Sequence, residues 1–470
     1  MTRRLLFVLL AVIAIKAAFF LPDPQPAFFF GDSVAYLATA ISNIIPLDRS
    51  FTYGFFLKPL VSGHSLLPVL LVQALLSALA SWIVAVCLLR YFQAKFWIAA
   101  GCAVLCAVEP LQLMSERFIM TETVSTFAFA ICMWSAFEFL RSGRIAALLV
   151  AELAGVAAMS FRYSFLAVVL ALSVCLPLLA NPTSKPWHKR ARTTATLLLV
   201  SVIATQGLLL GYRHWYGHLT HEPPSYLSRD GEFLVADVAP IVKPQDFPVA
   251  AKRDVVFGSL RAPLADPLLR RVHRWLPGGL CDAISKSVNG NEDEANRLAK
   301  KTAIRAMERD PMGLLKLAAY TYGEFFRPES VHWALELNQG RILIRDSERP
   351  YIEDAEKDTQ PVSSDVALIR KHFGIDTSHR RFDSLTKRWE GVSVPWCWVL
   401  AILPIAYLVS LSFKWRRVQA AEIVCLLVLW ILLLEAVIPT EFANPRYLTA
   451  EAWLAWIAIG SMISSRKLHL

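Results

Sequence analysis

The chain has 470 residues, 55% of them hydrophobic and 18% charged, with a mean hydropathy of +0.45. Its apolar runs repeatedly approach the roughly 20 residues needed to cross a bilayer, which excludes an ordinary soluble globule. The net charge of +10 does not point to nucleic acid: residues 214–394 balance 26 Lys+Arg against 26 Asp+Glu, so the 22 basic and 12 acidic residues left over lie in the apolar remainder.

The first expected span covers residues 5–21. Arg3 and Arg4 precede it and no small-x-small cleavage site follows, so it reads as an anchor rather than a cleaved signal. Phe28-Phe29-Phe30 then forms an aromatic block suited to the lipid interface, and Gly31-Asp32-Ser33 sets a carboxylate just beyond it. Val34, Leu37, Ile41, Ile44 and Ile45 share one helical face, which predicts a helix lying in the membrane surface. Asp32 would either cap that helix or serve as a base, and the two roles are compatible. Further spans are expected at 65–89, 96–114, 118–140, 145–161, 164–180 and 194–212.

A polar segment of about 180 residues follows, with turn clusters at Glu222-Pro223-Pro224 and Arg327-Pro328-Glu329. It carries helical patterns at Asp293–Met307 and Leu314–Phe326, the second resting on the membrane or on the spans. The last spans are expected at 395–413, 418–438 and 447–463. The expected fold class is therefore an all-α polytopic membrane protein. An N-terminal membrane module of seven spans covers 1–213, an external, mainly helical region covers 214–394, and a C-terminal module of three spans covers 395–470.

Sidedness follows from the basic residues. Fifteen of the 22 (Arg3, Arg4, Arg90, Lys95, Arg141, Arg144, Lys185, Lys189, Arg190, Arg192, Lys414, Arg416, Arg417, Arg466 and Lys467) fall in loops on one side, with no Asp or Glu among them. The positive-inside rule makes that side cytoplasmic, with both termini. The first loop, the turn at Glu116 and Arg117, and the 214–394 region then face outward.

The eight cysteines show no CxxC or metal-ligand spacing, and most sit in apolar spans as small core residues. His64, His214, His218 and His221 read as loop or interfacial residues; Gly217 and Pro223-Pro224 make a helical His214–His218 chelate doubtful. Charges at or in spans are costly and draw attention. On the outer side Asp32, Lys16, Glu109, Glu116, Arg117, Glu122, Arg162, Glu441 and Arg446 should approach one interface.

Gly31-Asp32-Ser33-x-x-Tyr36-Leu37, Leu71-Val72-Gln73-Ala74-Leu75-Leu76-Ser77, Glu109-Pro110, Glu116-Arg117-x-x-x-Thr121-Glu122-Thr123, Phe161-Arg162-Tyr163 and Pro445-Arg446-Tyr447 occur in this order. The series resembles the GT-C membrane glycosyltransferases, closest to the protein O-mannosyltransferase and lipid A aminoarabinose transferase branch. The resemblance covers the first 165 residues well and the last 30 loosely. It implies a sugar carried on a polyprenyl phosphate and a glycan, lipid or protein acceptor on the outer face of a bacterial inner membrane. Asp32 matches the family's catalytic carboxylate. Where the O-mannosyltransferases carry an Asp-Glu pair, this chain has Asp32-Ser33, which weakens a protein acceptor.

Such chemistry needs a base for the acceptor hydroxyl and cations for the phosphate. Asp32 supplies the first; Arg162 and Arg446, with Lys16 and Arg117 in reserve, supply the second. Tyr36, Glu116, Glu122, Tyr163 and Tyr447 are expected to orient the acceptor. No metal site is assigned, and a divalent cation at Glu116 or Glu122 is left open. With one carboxylate in the loop and no second nucleophile, inversion is expected. The rival functions are a lipid-sugar flippase, which should show repeats and interrupted midplane helices, and a non-catalytic cell-envelope assembly factor.

Overall fold

The computed structural model describes residues 2–22, 24–29, 32–180, 187–338, 345–351, 369, 371–374 and 383–465. Phe30 and Gly31 of the first-loop motif, and Lys185, Arg466 and Lys467 of the inner basic set, lie outside the described residues.

The N-terminal helices are α1 Thr2–Phe20, α2 Asp32–Ser42, α3 Thr52–Leu57, α4 Leu67–Tyr91, α5 Phe96–Ala107, α6 Pro110–Ser115, α7 Glu122–Ser142, α8 Ile145–Phe161, α9 Leu166–Leu179 and α10 Trp187–Thr220. The helices of the polar region are α11 Asp230–Asp237, α12 Ala250–Gly258, α13 Arg270–Trp275, α14 Leu280–Ser287, α15 Glu292–Arg309, α16 Pro311–Glu324 and α17 Pro328–Asn338. The chain closes with α18 Asp383–Ser412, α19 Ala420–Val437 and α20 Thr449–Ser465. Among the described residues the only β pairing is a parallel bridge between Ala27 and Phe118.

Among the described residues five helices are long and apolar enough to cross a membrane: α4, α7, α10 from His188, α18 from Gly391, and α19. α5 and α8 are apolar but shorter, as is the stretch Tyr163–Leu179 that includes α9. The expected 96–114 segment is two helices rather than one. α5 stops at Ala107, and Pro110, which lacks an N–H, opens α6 with Glu109 capping the free donors of Leu111 (3.0 Å) and Gln112 (2.7 Å). α7 starts at Glu122 because the preceding residues bridge to the first loop. α10 runs on through Gly217, contrary to the expected break; a Cβ there would lie 2.7 Å from the Glu222 carbonyl, so glycine lets the Glu222-Pro223-Pro224 turn fold back against the helix.

α4 packs against α1, α5 and α7, and α20 packs against α4, α5 and α19. Fully buried Trp453 of α20 donates its indole N–H to the Ala80 carbonyl of α4 (2.9 Å), and Gly460 lets α20 approach Leu88. α11, α12, α14 and α15 enclose a separate core of Val235, Phe247, Val256, Leu280, Ile284 and Leu298. α16 rests on the bundle, with Leu317, Ala318 and Thr321 buried and the Tyr322 hydroxyl bonded to the Ala401 carbonyl of α18 (3.1 Å).

The expected face of α2 is only partly the buried one. Tyr36, Leu37 and Ala40 turn inward, whereas Ile41 is exposed and Ile44 lies beyond the helix end. α3 is the cause: Gly54 lies so close that a Cβ would stand 2.3 Å from Thr39, and the i, i+3, i+4 face containing Tyr36 covers it.

Candidate active site: a shared arginine between two carboxylates

Three chain segments build the site. Ala27 donates to the Arg117 carbonyl (2.7 Å) and accepts from the Ile119 N–H (3.0 Å), which ties the first loop to the turn before α7. The Ser33 hydroxyl accepts from the Phe29 N–H (2.8 Å), so Ser33 closes the start of α2 and leaves the Asp32 side chain to other partners. On the far side the Leu47 carbonyl accepts from Ser228 N–H (3.0 Å) and from the Tyr216 hydroxyl (3.1 Å), so the end of α10 and the start of the polar region hold the loop that carries Asp48 and Arg49.

The Asp32 carboxylate is held by two guanidiniums. Oδ1 accepts from Arg49, and Oδ2 lies 2.9 Å from Arg446 Nη1. Arg446 then turns its Nε to Glu122, and Arg162 stands 3.8 Å from the same Glu122 oxygen while donating to the Arg446 carbonyl (3.2 Å). Arg446 therefore bridges the carboxylates of α2 and α7. Asp48 grips Arg49 through both oxygens (3.0 and 2.7 Å). Phe29 lies under the Arg446 guanidinium (4.5 Å) and Tyr447 under Arg162 (5.4 Å).

Burial works against the charge on Arg446, but Glu122 and Asp32 outweigh it and hold the guanidinium above its ordinary range. Arg49 is raised against burial in the same way by Asp32 and Asp48. Arg162 moves the other way: burial, helped by the like charge of Arg446, lowers it despite Glu122. Burial resists ionisation of Asp48, yet its hydrogen bonds to Arg49 keep it below its ordinary value. Tyr36, buried beside Asp32 and edge-on to Tyr53 (5.1 Å), is raised chiefly by burial.

The cluster borders a cavity of about 30 Å³, lined by Glu122, Arg446, Phe29, Phe118 and Leu335 among others. Glu122 Oε2 is buried and has no hydrogen-bond partner among the described residues. That volume suits a water or two and falls far short of the several hundred Å³ of a typical ligand pocket.

The expected outer residues divide into groups. Asp32, Glu122, Arg162, Arg446, Tyr36 and Tyr447 gather here. Lys16 is buried against Glu116, which also accepts from the Ser77 hydroxyl (2.7 Å). Arg117 donates to the Phe19 carbonyl (2.6 Å) over the Phe20 ring. Glu109 is the cap of α6, and Tyr163 is half-exposed against Tyr226 (5.5 Å). Glu441 accepts from the Trp275 indole (2.8 Å). Among the described residues no group of three metal-ligating side chains forms. Gln73, quoted in the second motif, reaches the Glu116 and Phe118 carbonyls (3.0 Å each) and accepts from Tyr53 (2.6 Å), so it shapes the turn behind the site.

Arg49 and Asp48 were not anticipated. They lie in a polar loop outside any span, where a charge is unremarkable, and only the pairing of Asp32 with a second basic residue could have marked them. Compared with protein-family models, with curated proteins and with solved structures, the chain matches none.

Proposed function

We propose that the chain is an inverting GT-C-type glycosyltransferase. It moves a sugar from a polyprenyl-phosphate donor to an acceptor hydroxyl on the outer face of a membrane, through ten spans with both termini cytoplasmic. The observation that carries the reading is Arg446 shared between Asp32 and Glu122, with Arg49 and Arg162 beside it.

A carboxylate held by two guanidiniums is a weak base, and two guanidiniums held by carboxylates are a poor anion receptor. A lipid phosphate resolves both at once by competing with Asp32 for Arg49 and Arg446. Asp32, released, then accepts the acceptor hydroxyl proton as the acceptor oxygen bonds to the anomeric carbon. The anomeric C–O bond breaks, its electron pair goes to the phosphate, and the arginines stabilise the second negative charge that develops there. One displacement inverts the anomeric centre.

The test is Asp32→Asn, assayed for transfer and for polyprenyl-phosphate binding. Transfer should fall on the order of 100- to 10,000-fold, while donor binding stays equal or tightens because the competing carboxylate is gone. Normal turnover with a lower melting temperature would make Asp32 a structural counter-ion instead.

A further inference from the structure

The charges of the arginine cluster cancel: Asp32, Asp48 and Glu122 stand against Arg49, Arg162 and Arg446. They are largely withdrawn from water, with the side chains of Asp32 and Arg446 19% and 18% exposed and that of Glu122 2%. Five of the six carboxylate oxygens are taken. Arg49 and Arg446 hold the two of Asp32, Arg49 holds both of Asp48 (3.0 and 2.7 Å), and the Arg446 Nε holds Glu122 Oε1. The sixth, Glu122 Oε2, is buried without a partner among the described residues, on a side chain that lines the cavity. Around this core, Arg274 acts on Asp48 but is already paired with Glu232 (2.6 Å). Glu435 acts on Arg162 from α19 and only deepens a shortage of positive charge, and the phenols of Tyr36, Tyr53 and Tyr447 complete the surroundings.

A sugar-bearing polyprenyl phosphate is a diester with one negative charge. Brought into a desolvated cluster whose charges already cancel, it leaves one charge unmatched, which is costly where water is excluded. Arginine stays protonated in proteins, so a carboxylate must restore the balance by taking up a proton. Asp32 has to stay ionised to act as the base, and Asp48 would have to give up a bond to Arg49. Glu122 Oε2 accepts a proton without breaking any contact. A metal ion in that place would need further ligands, and among the described residues no group of three metal-ligating side chains forms. We infer that donor binding is coupled to the uptake of one proton from water by Glu122 Oε2. The protonated carboxyl then stands beside Arg446 as a further hydrogen-bond donor where the phosphate is received. This rests on the proposed function and adds a pH dependence to it.

The test uses the full chain in nanodiscs and geranylgeranyl methyl phosphate, a diester whose own charge is fixed near neutral pH. It is titrated calorimetrically, with EDTA present, in buffers of differing ionisation enthalpy. The parent should take up about one proton per lipid bound, and its affinity should fall on the order of tenfold for each pH unit gained, because rising pH opposes uptake. Infrared difference spectra should show a protonated carboxylic acid appearing on binding, with a band that moves when glutamate carboxyls are isotope-labelled and stays when those of aspartate are. Glu122→Gln, which has no charge to neutralise, should bind at least as tightly as the parent, with no proton uptake and no pH slope. Parent binding without proton uptake, uptake that persists in Glu122→Gln, or a band that moves with labelled aspartate overturns the coupling and leaves the donor assignment standing. A parent that does not bind the diester overturns the proposed donor and the coupling together.

Discussion

At the residue scale the decisive feature is how each buried charge is matched. Lys16 and Glu116 show the contrast with the Arg446 cluster: both are nearly inaccessible (3% and 5% exposed side chains), and Glu116 also takes a hydrogen bond from Ser77, so this pair is complete in itself. Removing one member strands the other, at a cost of about 3–5 kcal/mol, whereas replacing both by neutral groups of similar size restores most of it. Lys16→Met should therefore lower thermal stability in detergent strongly, and Lys16→Met/Glu116→Gln should recover it. If Lys16→Met leaves stability intact but weakens prenyl-phosphate binding, Lys16 belongs to the donor site after all. Which charges pair was legible only in part. Asp32, Glu122, Arg162 and Arg446 could be singled out because ionisable residues at span ends are few and expensive. That Arg117 serves the Phe19 carbonyl and Lys16 serves Glu116 could not be read, because topology assigns a side of the membrane but not a partner.

At the element scale, α2 is set by α3 rather than by lipid. The close pass at Gly54 turns Tyr36 and Leu37 inward and fixes the direction from which Asp32 meets Arg49 and Arg446. Gly54→Ala sets a methyl group 2.3 Å from Thr39 Cβ, an overpacking expected to cost about 1–3 kcal/mol. The measurement is a melting temperature alongside turnover: both should fall, and pairing with Thr39→Gly, which removes both the Cβ and the methyl that the new side chain would meet, should restore part of each. An unchanged melting temperature in Gly54→Ala would show that α3 does not hold α2. Hydrophobic periodicity found α2 but favoured a lipid-facing stripe, since a short amphipathic helix presents the same pattern to a bilayer and to a neighbouring helix. The break before α6 was legible in Pro110, yet hydropathy smooths over a single proline in an apolar run.

At the scale of the whole molecule, the apolar helices form one bundle with the charge cluster at the end where the polar region, with its own core of α11, α12, α14 and α15, meets it. The proposed orientation, drawn from the one-sided distribution of Lys and Arg, has that end outside. With Lys301→Cys and Lys189→Cys variants in intact cells, an impermeant thiol reagent should label the first and spare the second. Reversed labelling would set the cluster in the cytoplasm and remove the case for a lipid-linked donor presented at the outer face.

The central claim is that the shared arginine receives a polyprenyl phosphate. Native mass spectrometry of the protein released from membrane tests it most directly. The parent should retain a lipid whose mass fits a polyprenyl phosphate bearing a sugar, and Arg446→Lys, which keeps the charge but loses the planar fork, should retain much less of it. A parent that carries no prenyl lipid, or an Arg446→Lys variant that carries it undiminished, would contradict the account.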